Sequence, residues 1–293
     1  MKGIILAGGS GTRLWPLTSI TSKQLLPVYD KPMIYYPLAT LMNFGIKEIL
    51  IISTPQDIPS ITQLFNNGSH LGIKIEYAIQ EEPKGIAQAL IIAEQFIKNS
   101  PSCLILGDNI FHLEDGISSN NFIPNTATIF AYKVSNPKRF GVIEFDNNHT
   151  VLSVEEKPQQ PRSNYASVGL YFFPEDAASK AKEVTPSARG ELEITDVINL
   201  YLQENRLHAT PLERGNAWLD AGTPESLIDS ANFIHIIEKR QGRKIGCIEE
   251  TAWQQNFISD EQFKALITNK TKGEYQQYLN RVLAEKRCEY EVC

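Results

Sequence analysis

The stretch GIILAGGSGTRLWP, residues 3–16, places a short apolar run directly before a glycine-rich turn and an arginine. A buried strand ending in such a turn is typical of an α/β sheet, where ligands bind beyond the carboxyl ends of strands. Glycine adopts positive φ and allows backbone N–H groups to approach an anion closely. Arg13 then offers a planar fork of donors to the same anion. The stretch predicts a phosphate-binding loop or, with equal weight, a tight turn whose arginine faces water.

This turn does not match the two best-known phosphate loops. A dinucleotide fingerprint G-x-G-x-x-G could begin at Gly9, but its last glycine position is occupied by Leu14. A P-loop requires Gly-Lys-Ser/Thr, and no such tripeptide follows the glycines. The sequence therefore argues against an ordinary NAD enzyme and against a P-loop kinase.

Short apolar runs alternate with helical segments in the first part of the chain. The runs, rich in Ile and Leu and with little alternation, lie at residues 3–7, 48–53, 73–79 and 102–106. Such runs suit strands that are buried on both faces of a parallel sheet. One helix is expected to begin near Pro32 and end at Gly45, and another covers residues 87–96. This β-α-β repetition predicts an open sheet with right-handed crossovers.

The residue pattern changes beyond residue 125 from alternating strands and helices to a series of strand-like runs. Runs rich in β-branched and aromatic residues lie at 126–134, 140–145, 150–155 and 165–173, and the turn at 146–149 predicts a hairpin. An amphipathic helix follows over 194–202, and a strand near 207–212.

A further helix should begin at Thr223-Pro224-Glu225, which reads as an N-cap, a first-turn proline and an acidic first turn. Gly242 should end it. The side chains expected to face inward are Leu227, Ile228, Ala231 and Ile234. Beyond it, the packing positions of a helical extension are Phe263, Leu266, Tyr275, Tyr278, Leu279 and Val282.

The fold class is therefore α/β: a Rossmann-like open mixed sheet, mostly parallel and covered by helices, with a smaller β-hairpin part and a C-terminal helical extension. We expect a catalytic domain over residues 1–240, divided into parts at about 1–125 and 126–222. Residues 241–293 form the extension of the same domain.

Composition excludes several function classes. The chain has 293 residues, 42% of them hydrophobic, and a net charge of −6, so no overall basic field gathers nucleic acid or an anionic membrane. No apolar run approaches the length of a membrane span. The four cysteines show neither a C-x-x-C pair nor a framework spacing, which indicates a reduced, cytoplasmic protein.

A series of blocks resembles the sugar-1-phosphate nucleotidylyltransferases, and within them the thymidylyl-transferring branch. The blocks, which occur in family order, are LAGGSGTRLWPLT at 6–18, SKQLLPVYDKPMIYYPL at 22–38, QEEPKGIAQA at 80–89, LGDNIF at 106–111, RFGVIEF at 139–145, SVEEKP at 153–158, SVGLYFF at 167–173, RGELEITDV at 189–197 and WLDAGT at 218–223. The resemblance extends from residue 1 to roughly residue 250.

The resemblance implies that an oxygen of glucose 1-phosphate attacks the α-phosphorus of dTTP and that pyrophosphate leaves, with Mg²⁺ as cofactor. Positioning and charge neutralisation carry such a reaction, and no nucleophilic side chain is needed. It also implies a homotetramer in the cytoplasm that supplies dTDP-glucose for deoxysugars, such as those of lipopolysaccharide, without a nucleic-acid or membrane partner.

Family resemblance also assigns roles to individual residues of this sequence. The residues implied to bind the nucleotide's phosphates and sugar are Gly8, Gly9, Ser10, Gly11 and Thr12. Arg13 and Lys23 neutralise the phosphates. The pyrimidine is held by Gln24, Gln80 and Gly85.

Asp108 follows a predicted buried strand and should project from its carboxyl edge, where a hard cation such as Mg²⁺ binds one or two carboxylates with phosphate oxygens. Asp220 matches the second metal carboxylate of the family. On the sugar phosphate, Lys157 binds the phosphate with help from Arg189, and Glu156 accepts sugar hydroxyls. The sugar ring approaches Gly141 and Gly169 and is lined by Tyr171.

Other functions remain open at this point. One alternative is a relative that acts on another base or sugar, such as a uridylyl- or guanylyltransferase. The contacts that distinguish dTTP from UTP involve a methyl group and a hydroxyl and can be worth only ~1–3 kcal/mol. A non-catalytic sensor of nucleotide sugars would be favoured by loss of the basic and acidic residues named above, and these are present. A metal-dependent glycosyltransferase of similar fold is less favoured, because the sequence contains no D-x-D motif.

Overall fold

The computed structural model describes residues 1–9, 11–113, 121–268 and 273–291, the last six of them as backbone only. Ser10 and most of the polar segment after residue 112 lie outside the described residues. A nine-stranded mixed sheet forms the centre of the molecule. Its parallel part has the order β6-β1-β4-β5, in which β1 pairs with β4 and β6, and β4 pairs with β5.

The strands are β1 (Lys2–Leu6), β2 (Pro27–Val28), β3 (Lys31–Pro32), β4 (Glu48–Ser53), β5 (Lys74–Ile79), β6 (Ser102–Leu106), β7 (Asn109–His112), β8 (Ala127–Lys133), β9 (Gly141–Phe145), β10 (Val151–Glu156), β11 (Tyr165–Phe173), β12 (Leu207–Pro211) and β13 (Ala217–Asp220). The helices are α1 (Tyr35–Asn43), α2 (Ile58–Phe65), α3 (Gln88–Ile92), α4 (Glu94–Ile97), α5 (Ala177–Glu183), α6 (Ile194–Gln203), α7 (Pro224–Gln241), α8 (Ile248–Gln254), α9 (Asp260–Thr268) and α10 (Glu274–Glu291).

The long strand β11 joins the two parts of the sheet. It runs antiparallel to β6 on one side, and it also pairs with β8 and β9. The predicted hairpin is confirmed as β9 and β10, which pair antiparallel across the turn at 146–149. The expected strand near residue 207 is β12, which extends the sheet by pairing parallel to β8. The mixed α/β sheet predicted from the sequence is therefore confirmed.

Both faces of β1, β4 and β6 are buried, as their continuous apolar runs predict, whereas β5 lies at the edge of the sheet and only its Ile75 is buried. Ile5, Ile49 and Ile105 point to one face, where α1, α2 and the C-terminal helices cover them. Ile4 and Leu104 point to the opposite face, under α3, α5 and α6. The expected packing positions of the extension are buried or partly buried against the first face.

A separate two-stranded ribbon positions part of the site. β7 follows β6 after a turn and pairs antiparallel with β13, so that Asp220 lies opposite Asn109. α7 begins directly after this ribbon, and its N-terminus is closed as predicted. The Thr223 side chain accepts a hydrogen bond from the Ser226 N–H, the Ser226 hydroxyl accepts one from the Thr223 N–H, and Pro224 is the first helical residue.

Three details of the sequence-based prediction are wrong. Pro32 does not open a helix but lies in β3, because residues 27–32 form a small hairpin, and α1 begins at Tyr35. The helix expected over residues 87–96 is two short helices, α3 and α4. Ile228 faces solvent with 62% of its surface exposed, because the buried face of α7 follows Ser230 and Ile234. Among the described residues, no helix is long and apolar enough to cross a membrane.

Candidate active site

The glycine loop begins where β1 ends, at the carboxyl edge of the parallel strands. Gly11 has φ 58°, a left-handed conformation that precedes a 3₁₀ turn over Thr12–Leu14. The Thr18 hydroxyl donates a hydrogen bond of 2.9 Å to the Gly11 carbonyl. The loop is therefore fixed at its far end, and Arg13 emerges from it as an exposed side chain.

The residues predicted to hold a pyrimidine lie together beside this loop. Gln24 Nε2 donates to the Gly8 carbonyl at 3.4 Å, and a Cβ added at Gly8 would lie only 2.0 Å from Gln80 Oε1. Gln80 is in turn oriented by Gln88, whose Oε1 accepts a hydrogen bond of 2.8 Å from Gln80 Nε2. Gln24 and Gln80 are buried, so the edge of the loop is lined by amide groups that suit hydrogen bonding to a base.

Gly85 allows the neighbouring segment to pass close to the start of α6. Its φ is 108°, and an added Cβ would lie 2.3 Å from the carbonyl oxygen of Leu192. Backbone hydrogen bonds join Leu192 to Lys84 at 2.7 Å and to Ala87 at 3.1 Å. A residue larger than glycine would therefore separate the nucleotide side of the site from the segment that carries Arg189.

Lys23 and Asp108 form an ion pair at the carboxyl edge of β6. Lys23 Nζ donates to Asp108 Oδ2, and Asn109 Nδ2 donates to Asp108 Oδ1 at 2.8 Å. Burial raises the pKa of Asp108, but the charge and hydrogen bond of Lys23 outweigh it, so the pKa lies below its usual value. Asp108 is therefore an ionised carboxylate in the site at neutral pH.

Asp220 lies next to Asp108 because β7 and β13 pair. The Ala221 N–H donates to the Asp108 carbonyl at 3.0 Å. Burial raises the pKa of Asp220 above its usual value and the nearby Asp108 charge acts in the same direction, while Arg139 opposes both. Arg139 Nη2 lies 3.4 Å from Asp220 Oδ2.

This pair of aspartates is the candidate cation site. The described residues contain no group of three or more His, Cys, Asp and Glu side chains that could hold a metal ion. Two neighbouring carboxylates are nevertheless the protein ligands that Mg²⁺ takes when phosphate oxygens and water complete its shell. The repulsion between the two carboxylates is what a bound cation would relieve.

On the opposite side, β10 and the segment before α6 supply a second group of charges. Lys157 directly follows β10, and its Nζ lies 3.3 Å from Glu156 Oε1. Arg189 is held by Glu193, whose two carboxylate oxygens accept from Nη2 at 2.8 and 2.9 Å. Burial raises the pKa of Glu156, and Glu193 contributes in the same direction while Lys157 and Arg189 oppose it.

Half of the eighteen predicted residues line one cleft of about 480 Å³, termed here the central cleft, whereas Gly8, Thr12, Gln24, Gln80 and Gly85 line neither this cleft nor the adjacent one. Those among its lining are Arg13, Asp108, Gly141, Glu156, Lys157, Gly169, Tyr171, Arg189 and Asp220. Gly9, Gly11 and Lys23 line an adjacent cleft of about 290 Å³, the loop cleft. Lys23 connects the two clefts through its ion pair with Asp108.

Further residues border the central cleft or orient its groups beyond those predicted from the sequence, and five polar ones stand out among them. They are Asn109, Arg139, Ser167, Glu193 and Thr195. Asn109 Oδ1 accepts hydrogen bonds from Trp218 Nε1 at 2.6 Å and from the Gly169 N–H at 3.1 Å, and so joins three of the sequence blocks. All five belong to the blocks quoted above, which is the signal that could have identified them.

Comparisons with known proteins agree with this architecture. The family model described as nucleotidyl transferase matches residues 2–236. A glucose-1-phosphate thymidylyltransferase of Neisseria meningitidis is 51% identical over 286 residues, covering 97% of this chain and 99% of the relative. One from Mycobacterium tuberculosis is 50% identical over 285 residues, covering 97% of this chain and 99% of the relative.

Among solved structures, a Bacillus anthracis protein assigned as a glucose-1-phosphate thymidylyltransferase, in complex with a sucrose, superposes with a TM-score of 0.73. It is 40% identical, and the match covers 80% of this chain and 94% of that chain. Family model, relatives and fold coincide over the segments that build the two clefts. The chain belongs to the nucleotidyl transferase family.

Proposed function

We propose that this enzyme transfers a thymidylyl group from dTTP to α-D-glucose 1-phosphate, giving dTDP-glucose and pyrophosphate. The observation that carries the proposal is the central cleft, where Arg13 and Lys157 face the aspartates 108 and 220 across one space. The relatives' names support the choice of nucleotide and sugar. A phosphate oxygen of the sugar attacks the α-phosphorus in line, and the bond to pyrophosphate breaks on the opposite side.

Charge neutralisation is the main task of the side chains. Arg13 binds the α-phosphate and the departing pyrophosphate, and Lys23 approaches the same phosphates from the loop cleft. Lys157 and Arg189 hold the phosphate of the sugar, which brings two anionic reactants together that would otherwise repel each other. Preorganised donors of this kind stabilise the charge that develops in the transition state without moving at the moment of reaction.

On the nucleotide side, the backbone of Gly8, Gly9, Gly11 and Thr12 surrounds the phosphates and deoxyribose, while Gln24, Gln80 and Gly85 receive the base. On the other side, Glu156 accepts hydrogen bonds from sugar hydroxyls, and the ring lies against Gly141, Gly169 and Tyr171. Ser10 keeps its predicted role at the phosphates, although it lies outside the described residues.

Asp108 and Asp220 would hold Mg²⁺, and the ion would supply additional positive charge to the phosphate oxygens of the nucleotide. Before the nucleotide arrives, Lys23 and Arg139 neutralise these two carboxylates. With a cation held by the two carboxylates, both basic residues would be free to bind phosphate oxygens of the nucleotide.

The test is a substrate-pair assay. Purified protein is incubated with glucose 1-phosphate and dTTP, UTP or GTP, each with Mg²⁺ or with excess EDTA, and pyrophosphate is measured. We expect release with dTTP and Mg²⁺, none with EDTA, and none with either substrate alone. Faster turnover with UTP or GTP would identify another transferase of the family, and binding of a nucleotide sugar without any turnover would indicate a sensor.

A homotetramer in the cytoplasm is part of the proposal, with a product that supplies deoxysugar synthesis. Residues 241–293 are the proposed source of subunit contacts, because they lie beyond the segments that build the clefts. Size-exclusion chromatography with light scattering should give four times the mass of the chain, and a monomer would contradict this part.

A further inference from the structure

The central cleft contains a buried hydroxyl that the roles above leave unused. Ser167 Oγ lines the cleft, and among the described residues it has no hydrogen-bond partner. The residue is 8% exposed. A buried polar group without a partner destabilises the structure, so a bound molecule is the natural partner for it.

The position of Ser167 on β11 directs it to the sugar side of the cleft. Alternate residues of a strand share a face, so Ser167 lies on the same face as Gly169 and Tyr171, which both line the cleft. A Cβ added at Gly141 would lie 3.7 Å from Ser167 Cβ and 3.4 Å from Glu156 Oε2. Ser167 and Glu156 therefore border the same small space.

A second hydroxyl without a partner among the described residues, that of Thr195, is less well directed. The Thr195 methyl group Cγ2, not its hydroxyl, faces Gly141, at 3.0 Å from an added Cβ. The phenol of Tyr171 is also near Ser167. Burial raises the pKa of Tyr171, and the Ser167 hydroxyl acts in the opposite direction without forming a hydrogen bond of ordinary geometry.

We propose that the Ser167 hydroxyl forms a hydrogen bond with one hydroxyl of the sugar phosphate and so helps to determine which sugar is accepted. The inference rests on the proposed function. A serine hydroxyl both donates and accepts, which matches a sugar hydroxyl, whereas a carboxylate such as that of Glu156 only accepts when it is ionised. Apolar neighbours in the cleft, Ile86, Phe140 and Ile194, limit competition from water.

The experiment compares the unaltered protein with Ser167→Ala on glucose 1-phosphate and on its 2-, 3-, 4- and 6-deoxy analogues. We expect Ser167→Ala to raise KM for glucose 1-phosphate by about five- to tenfold, with kcat and the KM for dTTP little changed. With the unaltered protein, one deoxy analogue should show a KM higher than that of glucose 1-phosphate by a similar factor. Ser167→Ala should not raise the KM for that analogue further, because both partners of one hydrogen bond are then already removed.

Ser102→Ala is the matched control, since Ser102 Oγ is also buried without a partner among the described residues but lies at the start of β6, outside the cleft. It should leave every KM unchanged. Tyr171→Phe tests the alternative that Ser167 only orients the phenol. If the effect of Ser167→Ala disappears in the Tyr171→Phe background, Ser167 does not contact the sugar.

If Ser167→Ala changed KM by the same factor for all four deoxy analogues, this inference would be overturned while the proposed function would remain intact. Absence of turnover by the unaltered protein with glucose 1-phosphate would overturn the proposed function and this inference with it. Thermal unfolding of each variant separates loss of binding from loss of fold.

Discussion

Arg13 is the basic residue of the central cleft that emerges directly from the glycine loop. It lies close to Asp220, since a Cβ added at Gly222 would be 3.3 Å from Arg13 Nη2 and 3.6 Å from Asp220 Oδ2. Its side chain is exposed, so the fold does not depend on it. Its contribution should therefore appear in the reaction and not in stability.

Replacing Arg13 with Ala should lower kcat by roughly 10²–10³, the usual cost of removing one preorganised donor from a transition state. Arg13→Lys should recover only part of this loss, because an ammonium group cannot offer two parallel donors to a phosphate. Steady-state pyrophosphate release measures the effect. Arg240→Ala, an exposed arginine on α7, is the control and should retain full activity; normal turnover by Arg13→Ala would contradict the assigned role.

Glu193 acts on the sugar phosphate through another residue, since its buried carboxylate holds the Arg189 guanidinium with three hydrogen bonds. We expect Glu193→Gln to raise KM for glucose 1-phosphate by about tenfold, because a charge-assisted contact worth roughly 1.5–3 kcal/mol is weakened. The KM for dTTP should stay unchanged. Glu191→Gln removes an exposed partner of the same arginine and should have a much smaller effect. Equal effects of the two variants would exclude positioning by Glu193.

At the scale of elements, the ribbon of β7 and β13 and the start of α7 determine where Asp220 lies. Only Ala221 and Gly222 separate Asp220 from the N-cap Thr223. The capping box therefore stabilises both the helix and the end of the strand that carries a proposed metal ligand.

Thr223→Ala should lower the free energy of unfolding by about 1 kcal/mol, since the Ser226 N–H loses its acceptor. Thr223→Ser should restore most of it because serine caps as well as threonine. Urea unfolding gives the free energy of unfolding of both variants, provided that its slope against urea concentration does not change. A loss in Thr223→Ala that Thr223→Ser does not recover would point to packing of the methyl group instead of capping.

Element types followed from sequence because burial leaves a trace along one segment: a strand buried on both faces is a continuous apolar run, and a helix buried on one face repeats its apolar residues about every 3.6 positions. The parallel strands β1, β4 and β6 were predictable for this reason, and the hairpin was predictable from its polar turn between two β-branched runs. The cap of α7 was predictable from its residue types, Thr223 followed by Pro224 and Glu225.

Pro32 and Ile228 were misjudged for different reasons. Pro32 is favourable in the first turn of a helix, but here it pairs with Pro27 in the local hairpin of residues 27–32. The exposure of Ile228 depends on which face of α7 packs against distant segments.

At the scale of the whole molecule, a partly buried group of charges joins the small hairpin to the C-terminal part. Asp30, Lys31, Glu238 and Lys244 form this group, in which Lys31 Nζ lies 3.1 Å from Glu238 Oε1 and Lys244 Nζ contacts both acids. Lys31 is almost completely buried. Breaking one member leaves a buried charge without its partner, which destabilises a fold more than the intact group stabilises it.

Asp30 makes this group sensitive to acid. Burial raises the pKa of Asp30, but Lys31 and Lys244 outweigh it, so the pKa in the folded state lies below the usual 3.8. A lowered pKa means that the ionised carboxylate stabilises the folded state above about pH 3.8, and that this stabilisation is lost as the pH falls through the folded-state value.

Asp30→Asn should therefore lower the free energy of unfolding by about 1–2 kcal/mol at pH 7, allowing for partial solvent screening. The difference in free energy of unfolding between Asp30→Asn and the unaltered protein should become smaller as the pH falls below about 3.8. Urea unfolding between neutral and acid pH measures it. Glu76→Gln, in an exposed pair with Lys74, is the control and should change stability little at any pH. A difference for Asp30→Asn that stays constant down to acid pH would contradict the linkage.

By itself the sequence determined the strands and helices of the α/β sheet, the glycine loop after β1, and the set of basic and acidic residues that the family resemblance identified. These depend on local conformation and on which side chains must be buried, and both are written along a continuous segment. Only the tertiary structure decided which charges meet: Lys23 with Asp108, Arg139 with Asp220, and Arg189 with Glu156. It also decided that Ser167 lacks a partner among the described residues. Such contacts depend on strand pairing and helix packing between distant segments, and periodicity within one segment carries no information about them.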